Sequence, residues 1–346
     1  MLKTYCIFFF FASIFNGTLV SQPETMNRNF GRPSENPLTR KLPLVRVVGA
    51  HFINANGDTI LFRGLSIADP DKIEHQGHWN KHLFEKVQEM GTALVRIPVH
   101  PLAWRNRGSE EYLKLLDQAV DWCAELGMYV IIDWHSIGNL EMELFQNPEY
   151  NTTKRETYEF WRVISRHFVG NTTVAFYEIF NEPTVDFGKL GTMSWAQWKT
   201  INENVIRLIR SYDKEKVPLV AGLDWAYDLS PLRNEPIDAE GIGYVTHPYS
   251  IKRRPPYEGK WEEDFGFAAG QYPVVATEFG FGPSKFPGDN YDYANAIVGY
   301  LEKNKISWVC WCFDPEWGPR LLKSWDFDLT GSGEFFKQAM LAKQTR

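Results

Sequence analysis

The chain has 346 residues, with 37 Lys and Arg against 43 Asp and Glu, for a net charge of −6. That balance argues against a nucleic-acid partner, since phosphate binding needs a basic stripe that releases counterions. Hydrophobic residues at 44% and charged residues at 23% exclude a disordered chain, and the length admits two ordinary domains or one large α/β barrel. The 24 Phe, 15 Tyr and 13 Trp give more ring surface than a core of this size usually needs. Most of these rings belong in packing, but some Trp can form a platform on which a flat ligand such as a sugar ring stacks.

At the N-terminus, Lys3 precedes an apolar run from Ile7 to Phe15, and small residues follow near Val20 and Ser21. This pattern predicts a secretory signal over residues 1–21. The run is shorter than the ~20 apolar residues of a spanning helix. The expected location is therefore secreted or periplasmic, with no stable membrane insertion after signal removal; a retained anchor is the alternative. Residues 22–44 are polar, contain Pro23, Pro33, Pro37 and Pro43, and predict a spacer. A single ordered domain is expected over 45–346.

Val45–Val48 opens that domain, and Asn56-Gly57 signals a β-hairpin. Strands are predicted over 60–67 and 92–98. Ser109 is placed to cap a helix whose apolar face is Tyr112, Leu115, Leu116, Ala119, Cys123 and Leu126, and Gly127 ends it. A strand follows over 128–132, a helix over 153–168 and a strand over 174–180. Ser194 and Gln197 form a capping box for a helix that carries Trp198, Ile201, Val205, Leu208 and Tyr212 on one face. Further strands are predicted over 217–221, 242–246, 273–277 and 306–311.

Continuously apolar strands alternating with helices predict a parallel sheet, either open and doubly wound or closed as a (β/α)8 TIM barrel. An open dinucleotide-binding sheet needs a glycine-rich turn after its first strand. Arg63-Gly64-Leu65-Ser66 has no such pattern, so the expected fold is the barrel with a short N-terminal β-hairpin. Cys6 falls in the signal. Cys123, Cys310 and Cys312 are expected as buried free thiols, since three is an odd number and no CxxC spacing occurs. Asn151 and Asn171 begin glycosylation sequons.

In a barrel, chemistry sits at the C-terminal rim. The predicted strands end there in Arg96, in Asp133-Trp134-His135, in Asn181-Glu182-Pro183, in His247-Pro248-Tyr249 and in Glu278-Phe279-Gly280, and the last strand contains Trp311. Such groups are costly inside a barrel unless they are paired. Glu182 and Glu278 emerge from apolar runs on opposite sides of the ring. Two carboxyls facing each other across a cleft are what glycoside hydrolysis requires.

In these positions the run from about Val45 to Lys343 resembles the glycoside hydrolase family 5 cellulases, retaining (β/α)8 enzymes. Arg96, His135, Asn181, Glu182, His247, Tyr249, Glu278 and Trp311 match the family pattern in order and in strand placement. The resemblance implies Glu182 as acid/base and Glu278 as nucleophile. It implies Asn181 as donor to the sugar 2-hydroxyl, and Arg96 and Tyr249 as the groups that orient Glu278 and keep it ionised. His135 and His247 would shape the sugar site, and Trp311 would stack under the sugar. His100, Trp134, Trp225 and Trp317 are further candidates for substrate contact.

The implied activity is that of a secreted endo-β-1,4-glucanase acting on a polysaccharide, without cofactor or metal and as a monomer. The alternatives are the same mechanism on mannan, xyloglucan, xylan or mixed-linkage glucan, a metal-dependent hydrolase using Asp133, His135 and His247, and a non-catalytic sugar-binding barrel.

Overall fold

The computed structural model describes residues 42–185, 188–282 and 290–344. The predicted signal and most of the predicted spacer lie outside the described residues. Arg46–Val48, His51–Ile53 and Thr59–Ile60 form a small antiparallel meander. Its second turn is the expected hairpin: the Asn54 side chain accepts from the backbone N–H of Asn56 and Asp58, and Gly57 takes a φ of 88°.

Eight parallel strands then close a barrel in chain order: β1 (Arg63–Ile67), β2 (Leu94–Val99), β3 (Tyr129–Trp134), β4 (Val174–Glu178), β5 (Val217–Ala221), β6 (Gly243–Thr246), β7 (Val274–Ala276) and β8 (Ser307–Phe313). The ring is closed by pairing of β8 with β1. Gly64 lets β1 and β2 approach, because a Cβ there would lie 1.9 Å from the Leu94 carbonyl oxygen.

The predicted helices form at Ser109–Leu126, Lys154–His167 and Trp195–Tyr212. Gly127 ends the first in a left-handed conformation, and Ser194 and Gln197 complete the capping box. One detail differs: Ser109 is the first helical residue rather than the cap. Gly108 holds the cap position with a φ of 82°, a backbone that favours glycine over serine.

Two apolar layers result. One lies between the strands and the surrounding helices. The other fills the lower barrel with Phe62, Leu94, Ile131, Phe176, Leu219, Val245, Val275 and Val309. Phe52 of the meander closes it from below, packing edge-on against Phe176. Side chains two apart on a strand share a face. One step above the apolar floor, inward-facing positions therefore hold Arg96, Asp133, Glu178, His247, Thr277 and Trp311. All of these are buried. Cys123, Cys310 and Cys312 are buried free thiols, all three in the outer layer.

Candidate active site

Arg96, fully buried, is the hub of the polar layer. Its Nε and Nη2 donate to the two oxygens of Glu178 at 2.8 and 3.0 Å, a bidentate pair. Nη2 also reaches Asn181 Oδ1 at 2.6 Å and Asp133 Oδ2 at 2.9 Å, while Nη1 donates to Glu278 Oε2 at 3.1 Å. One guanidinium thus gathers residues from β2, β3, β4 and the end of β7. Only a planar fork with five donors can do this, so a lysine is no substitute.

The two glutamates are placed by short bridges beyond the strands. Glu182–Pro183 pairs in parallel with Ile137–Gly138, joining the segments that follow β4 and β3. Glu278 follows β7, and Gly280 beyond it permits close contact with β8: a Cβ there would lie 2.8 Å from the Trp311 carbonyl oxygen. Both glutamates are 8% exposed. Oxygens of Glu182 and Glu278 and a nitrogen of His247 all lie within 4.8 Å of one another.

Both oxygens of Glu278 are held, Oε2 by Arg96 and Oε1 by the Tyr249 hydroxyl at 2.8 Å. Burial raises the Glu278 carboxyl above its ordinary range and Glu182 adds to this, while His247, Arg96 and Tyr249 oppose it. Glu182 Oε1 meets His247 Nδ1 at 2.9 Å. Burial disfavours a charged His247, but the Glu178 carboxylate 3.7 Å from Nε2, the hydrogen bond with Glu182 and the charge of Glu278 outweigh it and lift the imidazole to about 9. His135 behaves oppositely: burial, then the neighbouring His100, Arg96 and His247, drive it well below the usual histidine range.

These groups open into a cleft of about 1710 Å³ lined by His100, His135, Tyr150, Glu182, Tyr249, Glu278, Trp311 and Trp317, among others. Trp311 lies parallel to His135, with planes 4° apart, and to Trp317, with planes 12° apart. Asn181 Nδ2 is a buried donor without a hydrogen-bond partner among the described residues, its amide oxygen being taken by Arg96. A buried unpaired donor is costly and marks a place where a ligand oxygen belongs.

All eight residues that carry the family resemblance converge here, and His100 and Trp317 join them on the cleft wall. Trp134 does not. It is fully buried in the outer layer, stacked on Phe160 with centroids 4.1 Å apart. Alternation explains the correction, since Asp133 faces the barrel and its strand neighbour must face away. Trp225 does not line this cleft either. Its ring is half-buried, bonded to Gln146 through Nε1 and covered by the Lys252 ammonium.

The metal-ligand set considered for Asp133, His135 and His247 does not assemble. Asp133 Oδ2 is bound by His135 Nδ1 at 2.6 Å and by the cationic Arg96, and His247 turns instead to Glu182 and Thr277. The Glu182, His247 and Glu278 atoms are close enough to share an ion. Here, however, the His247 nitrogen is engaged by Glu182 Oε1 at 2.9 Å.

Three residues of the site escaped the sequence reading. Glu178 pairs with Arg96. Thr277 donates to Glu178 Oε1 at 2.9 Å. Asp69 receives the His100 backbone N–H at 2.8 Å and the Tyr112 hydroxyl at 2.8 Å, fixing His100 on the wall. Alternation would have found the first two, each lying two residues beyond an inward apolar side chain.

Comparison with known proteins agrees with the geometry. The profile of the cellulase family, glycosyl hydrolase family 5, matches residues 53–316. An endoglucanase of Thermobifida fusca is 25% identical over 79% of this chain and 56% of its own length; one of Clostridium saccharobutylicum is 25% identical over 87% and 66%. The chain thus spans about three-fifths of these relatives. A β-glucanase structure from Saccharophagus degradans superposes with a TM-score of 0.86 at 43% identity, covering 88% of this chain and 95% of that one. The same enzyme with cellotetraose gives a TM-score of 0.85. The chain belongs to the cellulase family, glycosyl hydrolase family 5.

Proposed function

We propose that the protein is a secreted, retaining endo-β-glucanase that cleaves β-1,4-glucan by double displacement. Glu278 attacks the anomeric carbon while Glu182 protonates the leaving oxygen. The glycosyl ester on Glu278 is then hydrolysed by water that Glu182 deprotonates. The observation that carries this reading is the approach of one oxygen of Glu182 to one oxygen of Glu278 within 4.8 Å, which leaves too little room between the carboxyls for an inverting enzyme's water. Retaining enzymes hold their carboxyls ~5–5.5 Å apart, whereas inverting enzymes need ~6.5–9.5 Å to admit a water.

The surroundings support these roles. Arg96 and Tyr249 occupy one oxygen each of Glu278, so the nucleophile is oriented before substrate arrives. The free Asn181 donor is suited to the sugar 2-hydroxyl. Trp311 and Trp317, with nearly parallel rings, suit apolar sugar faces. β-Glucan is favoured over mannan or xylan because the β-glucanase at 43% identity has been seen with cellotetraose. Secretion would rest on residues 1–21, and the N-terminal sequence of exported protein tests it.

The substrate is tested with a panel of soluble β-glycans, measuring reducing ends and product size. Early random cuts in a β-1,4-glucan support the proposal, while single short products or preference for mannan or xylan overturn it. Glu182→Ala is expected to lose activity on unactivated glucan by roughly 10²–10⁴-fold. It should keep appreciable activity on glycosides with a good leaving group. Unchanged hydrolysis of unactivated glucan would refute the acid/base role.

A further inference from the structure

His247 touches Glu182 with one nitrogen, and its other nitrogen leads away from the cleft into the barrel. Nε2 lies 3.0 Å from Thr277 Oγ1, and that hydroxyl lies 2.9 Å from Glu178 Oε1. Glu178 is fully buried and clamped by Arg96. Burial alone would raise its carboxyl, but Arg96, with His247, outweighs this and holds it at about 2. An ionised carboxylate can only accept hydrogen bonds. The Thr277 hydroxyl must therefore spend its single hydrogen on Glu178, and its oxygen is left to accept. The His247 nitrogen facing it must carry a hydrogen.

We infer that Glu178 and Thr277 are positioning residues that fix the polarity of His247, leaving Nδ1 as the nitrogen that exchanges a proton with Glu182. The inference rests on the reading of Glu182 as acid/base. With Nε2–H pinned, the 2.9 Å contact between Nδ1 and Glu182 Oε1 has two balanced forms. In one, Glu182 carries the proton and donates it to neutral Nδ1. In the other, the proton sits on Nδ1 and Glu182 is a carboxylate. The first form serves as the acid of the glycosylation step and the second as the base of the hydrolysis step. Movement between them needs no reorientation of the ring. The flipped tautomer, with bare Nε2 against the Thr277 oxygen, would leave two lone pairs opposed in a buried site, which is costly.

The charged and titratable groups acting on His247 come from several elements: Glu178 of β4, Glu182 beyond it, Glu278 after β7, and Asp133 and His135 at β3. All of these but Glu182 lie beyond hydrogen-bond reach, Glu178 at 3.7 Å, and affect its charge without accepting the hydrogen. Thr277 alone faces Nε2 at bonding distance among the described residues.

The test is ¹⁵N NMR of the histidine-labelled protein across pH, with His247 assigned by its loss in His247→Gln. In the parent, Nε2 is expected to stay protonated throughout while Nδ1 titrates. Thr277→Val should mix the tautomers and lower the titration midpoint by about one pH unit, the value of one hydrogen bond. Its kcat on unactivated glucan should fall about tenfold with KM unchanged, and much less on an activated glycoside. Thr277→Ser should restore both. A bare Nε2 in the parent overturns the inference even if no variant folds. So does a Thr277→Val titration that matches the parent. Neither result bears on Glu182, whose role is judged separately by Glu182→Ala.

Discussion

The lower and upper halves of the barrel interior are built from the same strands and the same alternation, yet they do opposite things. Below, Leu94, Ile131, Phe176, Val245 and Val275 fill the ring with apolar volume. Two residues further along the same segments stand Arg96, Asp133 and Glu178, with His247 and Thr277 just past the ends of their strands. A rise of two residues, roughly 6–7 Å, separates close packing from a charged network. The floor binds the strands together and fixes their register. The upper layer uses that register to aim acceptors and donors at one another, and it can tolerate burial only because nearly every group is paired.

The contrast predicts that floor and ceiling respond differently to substitution. The largest effect belongs to Glu278→Ala, which should cost about 10⁴-fold or more in kcat while leaving stability near the parent's. Added azide should restore turnover and give a glycosyl azide of inverted configuration. Next is Arg96→Met, which strands three buried carboxylates. A stability loss of about 3–5 kcal/mol in chemical denaturation, together with loss of activity, is expected. Phe176→Ala should lose a comparable ~3–5 kcal/mol through its cavity, but the folded fraction should keep kcat near the parent's. A kcat loss in that variant matching Arg96→Met would erase the distinction between the layers.

A smaller effect concerns acid. Glu178 is held at about 2 against an ordinary value of 4.5. A carboxylate depressed on folding contributes stability above the unfolded value and loses it as pH falls through the folded one. The stability gap between the parent and Glu178→Gln should therefore narrow between pH 4.5 and 2. A gap that stays constant across that window would mean Glu178 is not held ionised.

Much of this was legible from residues alone, for a physical reason. Rim residues such as Glu182, Glu278 and His247 stand out because each is a polar group just past an apolar run, where a core residue would otherwise be. Glu178 did not stand out, because it sits inside the run from Val174 to Phe180 and its polarity is hidden by apolar neighbours on both sides. Trp134 misled in the opposite way: it stands among rim residues in sequence, yet the pleat turns it outward onto Phe160. Asp69 was out of reach because its importance lies in contacts with His100 and Tyr112, distant positions that no local pattern joins.

The central claim is that Glu278 and Glu182 work as nucleophile and acid/base in a retaining reaction. It is tested most directly by following the anomeric configuration of the first product released from a soluble β-1,4-glucan by proton NMR. The account predicts that the β-anomer appears first and the α-anomer only later by mutarotation. Initial release of the α-anomer would contradict it.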